Sequence, residues 1–233
     1  MEFTADSFSL TDTDIEVDDD VTLLTQAWIN EHHAPDILPY KTRLISTIRS
    51  KISGQQEWIE ARMDDARPEE RFTTMLYQTE LERVKYTIRA YLRTRIGKIE
   101  RCHSYILSRP DVLARLSPSE AIYTRQYKAL TTTLYVQGVL SDVPPQLQVL
   151  PDNAVMEPHV DQLVFCRVKE DVGEYQLGTV HLEDDGRILM QPSNVFALSY
   201  KSIRALVDNG DVDLLYLVYS HGQCLSTTVM DAL

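Results

Sequence analysis

Glycine and cysteine are scarce in this sequence, and each shortage closes off a class of function. Eight glycines are spread through 233 residues, so a backbone wrapped closely around a ligand is not expected. No G-x-x-x-x-G-K-[ST] loop, G-x-G-x-x-G turn or G-x-S-x-G elbow occurs. The phosphate cradles and serine nucleophiles that those patterns carry are therefore not expected. The three cysteines, Cys102, Cys166 and Cys224, are odd in number and far apart, with no C-x-x-C pair. That usage suits a reducing compartment, cytosol or nucleus, and argues against a disulfide scaffold. The longest apolar run, LLYLVY at 214–219, is far shorter than the roughly 20 residues a bilayer span needs, so no membrane partner is expected. The N-terminal MEFTADSFSL has neither the basic nor the apolar region of a signal peptide.

Metal and acid-base signals fare no better. His32 and His33 are adjacent, so on a helix they point in different directions, and no further ligand set accompanies them. Asp12, Asp14, Glu16 and Asp18 alternate superficially like a calcium loop. Val17 then stands where that loop needs glycine and Leu23 where it needs glutamate. Asp184 and Asp185 precede Gly186 in a turn-like stretch. No catalytic, cofactor-binding or metal residue is assigned. The expectation is a non-enzymatic interaction protein.

What is present is helix-forming sequence with uneven charge. The formal net charge is -12. Residues 1–20 hold eight acids and no base, residues 21–150 hold 18 bases and 14 acids, and residues 151–233 hold five bases and 13 acids. The acidic leader at 1–20 reads as disordered. From Val21 the apolar spacing is helical, with Leu24, Ala27, Trp28 and His32 on one face. Leu44, Ile48, Ile52, Gln55 and Ile59 repeat the pattern. A third and longest helix is expected over about 71–108. A fourth starts with a capping signature: Ser117 as cap, Pro118 at the first helical position and Glu120 three residues after the cap. Its apolar positions are Ile122, Tyr123, Tyr127, Leu130 and Leu134.

The texture changes after residue 140. Four prolines punctuate SDVPPQLQVLPDNAVMEPH, which reads as a linker. QLVFCRVK, YQLGTVHL, RILM, VFALSY and DVDLLYLV read as strands. YKSIRALVDNG reads as a short helix stopped by Gly210. The expected fold is a mainly α N-terminal domain of four to five helices at 21–140, a linker at 141–158 and a small β-rich C-terminal domain at 159–215. The extension at 216–233 has no assigned status.

The positive charge concentrates in TELERVKYTIRAYLRTRIGKIER, residues 79–101, with five arginines and two lysines against three glutamates. On a helical wheel Leu81, Val84, Ile88, Tyr91, Leu92 and Ile99 share one broad face. Lys85, Arg89 and Arg93 flank it on one side, and Arg83, Lys98 and Arg101 on the other. Glu80 can pair with Arg83 and Glu82 with Lys85. Arg95 falls within the apolar face, so it needs a carboxylate or carbonyl partner. Non-specific nucleic-acid binding wants bases gathered on one exposed face. Bases interleaved with acids beside an apolar stripe suit pairing within protein, in this chain or across an interface.

Several stretches occur together and in order: AWINEHHAPDILPY at 27–40, TELERVKYTIRAYLRTRIGKIER at 79–101, VPPQLQ at 143–148, MEPHVDQLVFCRV at 156–168 and YKSIRALVDNGDVDLL at 200–215. In combination they resemble the Sld-five type of subunit of the eukaryotic GINS complex, over about 21–215. The resemblance implies a heterotetramer with three other GINS subunits. It also implies contact with the Mcm ring and its Cdc-forty-five partner in the replicative helicase, nuclear localisation, and a scaffold role without cofactor. A helical A domain precedes a β-rich B domain in this subunit type. The leader has a loose likeness to one that docks on a replisome adaptor in some members. DNA contact would be indirect or weak. The partner interface expected from the long helix and its neighbour comprises Trp28, Leu81, Arg83, Lys85, Ile88, Arg89, Tyr91, Arg93, Arg95, Lys98 and Arg101. The alternatives are an independent single-stranded DNA-binding protein using the helix at 79–101, and a small-molecule enzyme on the C-terminal domain.

Overall fold

A computed structural model describes residues 12–63, 68–138, 140–144, 148, 155–176, 187–215, 217–220 and 223–226. Helices come first and strands follow: α1 (Asp12–His33), α2 (Thr42–Met63), α3 (Pro68–Ser108), α4 (Pro110–Leu113) and α5 (Pro118–Gly138), then a 3-10 turn at Leu140–Asp142. After these come β1 (Leu163–Val168), β2 (Gly173–Gln176), β3 (Arg187–Met190), β4 (Val195–Ser199), α6 (Tyr200–Asn209), β5 (Val212–Leu214), β6 (Leu217–Ser220) and β7 (Gln223–Ser226). The expected order, a mainly helical part followed by a small sheet-bearing part, is what the chain adopts.

Three details differ from expectation. Helix α1 begins at Asp12, inside the stretch read as a disordered leader; residues 1–11 lie outside the described residues. The strand expected from YQLGTVHL is represented by β2, which starts earlier, at Gly173, and the rest of that stretch lies outside the described residues. The C-terminal extension contains a backbone hairpin, with β6 pairing β7 antiparallel. Residues 145–147 and 149–154 of the proline-rich connection also lie outside the described residues.

The chain divides into two compact units, Met1–Ala27 with Lys41–Arg89, and Trp28–Tyr40 with Ala90–Leu233. This boundary passes through α1 and α3. The division expected at the proline-rich connection is a different one. The physical reason is that residues 28–40 contact both the second half of α3 and the sheet-bearing region, as described below.

In the first unit the periodic apolar positions turn inward. Val21 and Leu24 of α1, Ile45, Ile48 and Ile59 of α2, and Leu81, Val84 and Ile88 of α3 are buried. Lys51 Nζ lies 2.6 Å from Asp20 Oδ2. Trp58 meets Tyr77 edge to face at 5.6 Å, and the Arg62 guanidinium sits 3.8 Å above the Trp58 ring.

In the second unit, β4, β1 and β5 form an antiparallel sheet in that order, and β2 pairs β3. Alternate β1 residues Val164, Cys166 and Val168 face inward, as a strand with one covered face requires. They pack with Met190, Leu198, Val212, Leu214 and the buried face of α6, namely Tyr200, Ile203, Leu206 and Val207. Ala34 and Leu38 belong to the same cluster. A second cluster joins Ile37, Ile99, Tyr105, Ile106 and Val112. Gly210 ends α6 at φ 92°, in the left-handed conformation. Helix α3 is interrupted at Cys102, whose φ and ψ of -114° and 24° are non-helical.

Candidate functional site

The long helix splits the residues expected at a partner interface into two groups. Leu81, Ile88 and Tyr91 are buried within this chain, as is Arg95. Lys98 is largely covered. Arg83, Arg89, Arg93 and Arg101 are exposed, and Trp28 and Lys85 are half-buried. Arg83 Nη2 lies 2.6 Å from Glu80 Oε1, and Lys85 Nζ 3.0 Å from Glu82 Oε1. Both helical pairs anticipated from spacing are formed. Arg89 shares Glu82 at 3.4 Å, and Arg101 Nε donates to the Gly97 carbonyl.

Arg95 is completely buried and fully bonded. Its Nε donates to Glu120 Oε1 at 2.8 Å, and its Nη2 to Glu120 Oε2 at 3.1 Å and the Arg115 carbonyl at 3.3 Å. Its Nη1 donates to Glu31 Oε2 at 3.0 Å and the Leu38 carbonyl at 2.7 Å. A guanidinium offers five N–H groups in a fixed fork, and five bonds are made. Burial opposes the charge on Arg95. The Glu120 hydrogen bonds and the Glu31 charge outweigh that and raise its pKa further. Burial alone would raise the Glu120 carboxyl; the hydrogen bonds from Arg95, its charge and the Ser117 amide hold it below the usual carboxylate value. Lys98 Nζ bonds Glu31 Oε1 and the Asp36 carbonyl, each at 2.9 Å. Burial lowers the Lys98 pKa, and the Glu31 charge opposes that only in part.

Glu120 reached this position by the capping logic visible in the sequence. The Ser117 amide donates to Glu120 Oε2 at 2.8 Å, and the Glu120 amide donates to Ser117 Oγ at 3.3 Å. This is a reciprocal capping box at the start of α5, and its acid doubles as the partner of a buried arginine.

The segment 28–40 binds helices to sheet within the second unit. The Leu214 amide, on the outer edge of β5, donates to Asn30 Oδ1 at 2.8 Å, and Asn30 Nδ2 donates to Asp213 Oδ1 at 3.0 Å. Arg204 of α6 forms an ion pair with buried Asp36. Arg115 bonds Asp208 through two nitrogens, at 3.2 and 2.7 Å, and the Ile37 carbonyl at 3.2 Å. The Tyr40 amide donates to the Arg115 carbonyl.

Helix α5 departs from expectation. Its buried residues are Glu120 and Thr124. Of the apolar positions expected on it, Tyr123 and Tyr127 are half-buried, whereas Ile122, Leu130 and Leu134 are 54%, 68% and 66% exposed. Leu130 and Leu134 are four residues apart, one above the other on the helix. In the first unit the start of α3 exposes Phe72, Met75 and Leu76 at the same kind of spacing. These six residues were not among the expected interface set. The signal for the α5 residues was in the sequence as amphipathic periodicity, which does not reveal whether the covering surface belongs to the same chain.

Among the described residues no group of three or more histidine, cysteine or acidic side chains is arranged to hold a metal ion. Among them, too, no helix is long and apolar enough to cross a membrane.

Two family models match the chain: "GINS complex protein helical bundle domain" over residues 54–136, and "DNA replication complex GINS protein SLD5 C-terminus" over residues 158–215. The chain is 32% identical over 220 residues to the GINS protein sld5 of Schizosaccharomyces pombe, covering 92% of this chain and 100% of the relative. The chain belongs to the SLD5 family of GINS proteins. The SLD5 of Dictyostelium discoideum is 32% identical over 197 residues, covering 82% of this chain and 90% of the relative. That of Chaetomium globosum is 34% identical over 202 residues, covering 84% and 90%. In this SLD5 chain the helical-bundle match takes in α3 and nearly all of α5, the two helices that carry the exposed apolar rows, and the C-terminal match takes in β1 through β5.

Proposed function

We propose that this chain is a non-catalytic scaffold subunit of the GINS complex in DNA replication. It assembles with three other GINS subunits, and the assembly joins the Mcm ring and its Cdc-forty-five partner to activate the replicative helicase in the nucleus. The acidic leader serves as a secondary contact for a replisome adaptor, and DNA contact is indirect. The division into an A domain at 21–140 and a B domain at 159–215 follows from the same reading.

One observation carries it. Ile122, Leu130 and Leu134 are exposed on α5, in or beside a region matched by a GINS helical-bundle model. Contiguous exposed apolar side chains favour burial against another protein. Of the residues first expected at that interface, Arg83, Arg89, Arg93 and Arg101 are exposed, and Leu81, Ile88, Tyr91 and Arg95 are buried within this chain.

The test is the mass in solution of the full chain coexpressed with the three other GINS subunits, with and without Leu130→Glu and Leu134→Glu together. An equimolar four-subunit assembly that forms with the parent chain and is lost with the variant is the expected result. The variant should melt like the parent when each is measured alone, because exposed substitutions usually change stability by less than about 0.5 kcal/mol. A parent chain that stays monomeric beside those subunits would overturn the reading.

A further inference from the structure

In the first unit, α2 and α3 leave an open groove of about 310 Å³ lined by Arg49, Ile52, Ser53, Lys85, Ile88 and Arg89. Its chemistry is two-fold. Ile52 and Ile88 are apolar, and the three remaining long side chains are cations. Glu82 is ion-paired to both Lys85 and Arg89. Among the described residues the lining carries three bases and no acid, and Glu82 beside it pairs with two of them, so the rim is positive on a chain whose net charge is -12.

We propose that this groove docks an acidic segment of a protein outside the four-subunit assembly, anchored by one aliphatic or aromatic side chain. The rim selects for carboxylates, because a positive patch steers and retains a negative partner. Ile52 and Ile88 select for an apolar anchor between those carboxylates. A nucleic-acid strand uses phosphate contacts and stacking on aromatic rings. Among the described residues the lining holds no aromatic side chain, and an isoleucine pair offers a phosphodiester nothing. The volume sits at the lower end of the range for small-ligand pockets and the groove is open, which suits a side chain carried on a peptide backbone. The groove is lined by residues of α2 and α3, whereas Ile122, Leu130 and Leu134 belong to α5, so docking and assembly are tested by separate substitutions.

The experiment uses the chain assembled with the other GINS subunits and fluorescence anisotropy of three labelled probes. These are a short peptide of alternating glutamate and leucine, the same peptide with serine for leucine, and oligothymidylate. The glutamate–leucine peptide should bind in a salt-sensitive manner, and at least about fivefold more tightly than the serine peptide, from burial of the apolar anchor. Arg49→Glu with Arg89→Glu should weaken it about tenfold or more, since like charges then face each other. Both residues are exposed, so the variant should keep the parent assembly mass and melting temperature. Four results would each overturn the proposal: no peptide binding, equal binding by parent and charge-reversed assemblies, equal binding of the two peptides, or tighter binding of oligothymidylate that the same variant abolishes. Because the mass is read on the same samples, failure of docking is distinguishable from failure of the scaffold reading.

Discussion

Glu120 and Arg95 are joined by two hydrogen bonds, Nε to Oε1 at 2.8 Å and Nη2 to Oε2 at 3.1 Å, while the same Oε2 accepts the Ser117 amide at 2.8 Å. The carboxylate therefore starts a helix and neutralises a buried cation at once. Ser117→Ala removes only the cap and should cost about 1 kcal/mol. Glu120→Ala also leaves Arg95 with Glu31 as its one carboxylate and should cost about 3–5 kcal/mol, the range for breaking a buried ion pair. Urea unfolding of the two variants measures the difference.

The same carboxylate sets an acid limit. Its folded-state pKa lies below the ordinary value, despite burial, because of Arg95 and the Ser117 amide. A depressed carboxylate stabilises the fold above its unfolded pKa, and that stability is lost as pH falls through the interval down to the folded pKa. Stability should therefore decline below about pH 4.5, the ordinary glutamate range. Glu120→Gln should be less stable at neutral pH and show a shallower acid limb, read from melting temperature against pH.

Arg115 and Asp208 join the short segment before α5 to α6 through two bonds, and both side chains are about four-fifths covered. A double-mutant cycle with Arg115→Ala and Asp208→Ala should give a coupling of about 1–2 kcal/mol, above the exposed-pair range. The pair Arg83 and Glu80, exposed on one helix, should give about 0.3–0.5 kcal/mol.

Two turn positions should respond in opposite directions. Gly210 has φ 92°, and nothing lies within 4 Å of where a Cβ would stand. Gly210→Ala should cost about 1 kcal/mol from backbone strain alone. Ser193 holds φ 71° without being glycine, so Ser193→Gly should be neutral or stabilising by up to about 1 kcal/mol. Thermal melts of both single variants check the pair.

Features with a local cause were readable in advance. The Ser117–Glu120 box, the two pairs on α3 and the Gly210 stop all depend on residues within four positions of one another. The need of Arg95 for a partner was also visible, because a charge sat on an apolar face. Its partners were not, since Glu31 and Glu120 stand 64 and 25 residues away and only tertiary packing brings them in. Periodicity failed on α5 for a different reason. It identifies the apolar positions of α5 but not the surface that covers them, and Leu130 and Leu134 are exposed in this chain. The interface set drawn from α3 mixed residues that serve this chain's interior with residues on its surface, because one helix does both.

The segment 28–40 bears on the order in which the chain is made. Glu31 precedes Arg95 by 64 residues, and Asp36 precedes Arg204 by 168. At synthesis rates of about 5–20 residues per second, Asp36 waits roughly 8–34 s for the arginine it will face. Until then its carboxylate stays in water, with the second unit unfinished behind the ribosome. The residues of the first unit, which ends at Arg89, are all made earlier. Helix α6 and strand β5, made late, thus fix a stretch of chain that was made early.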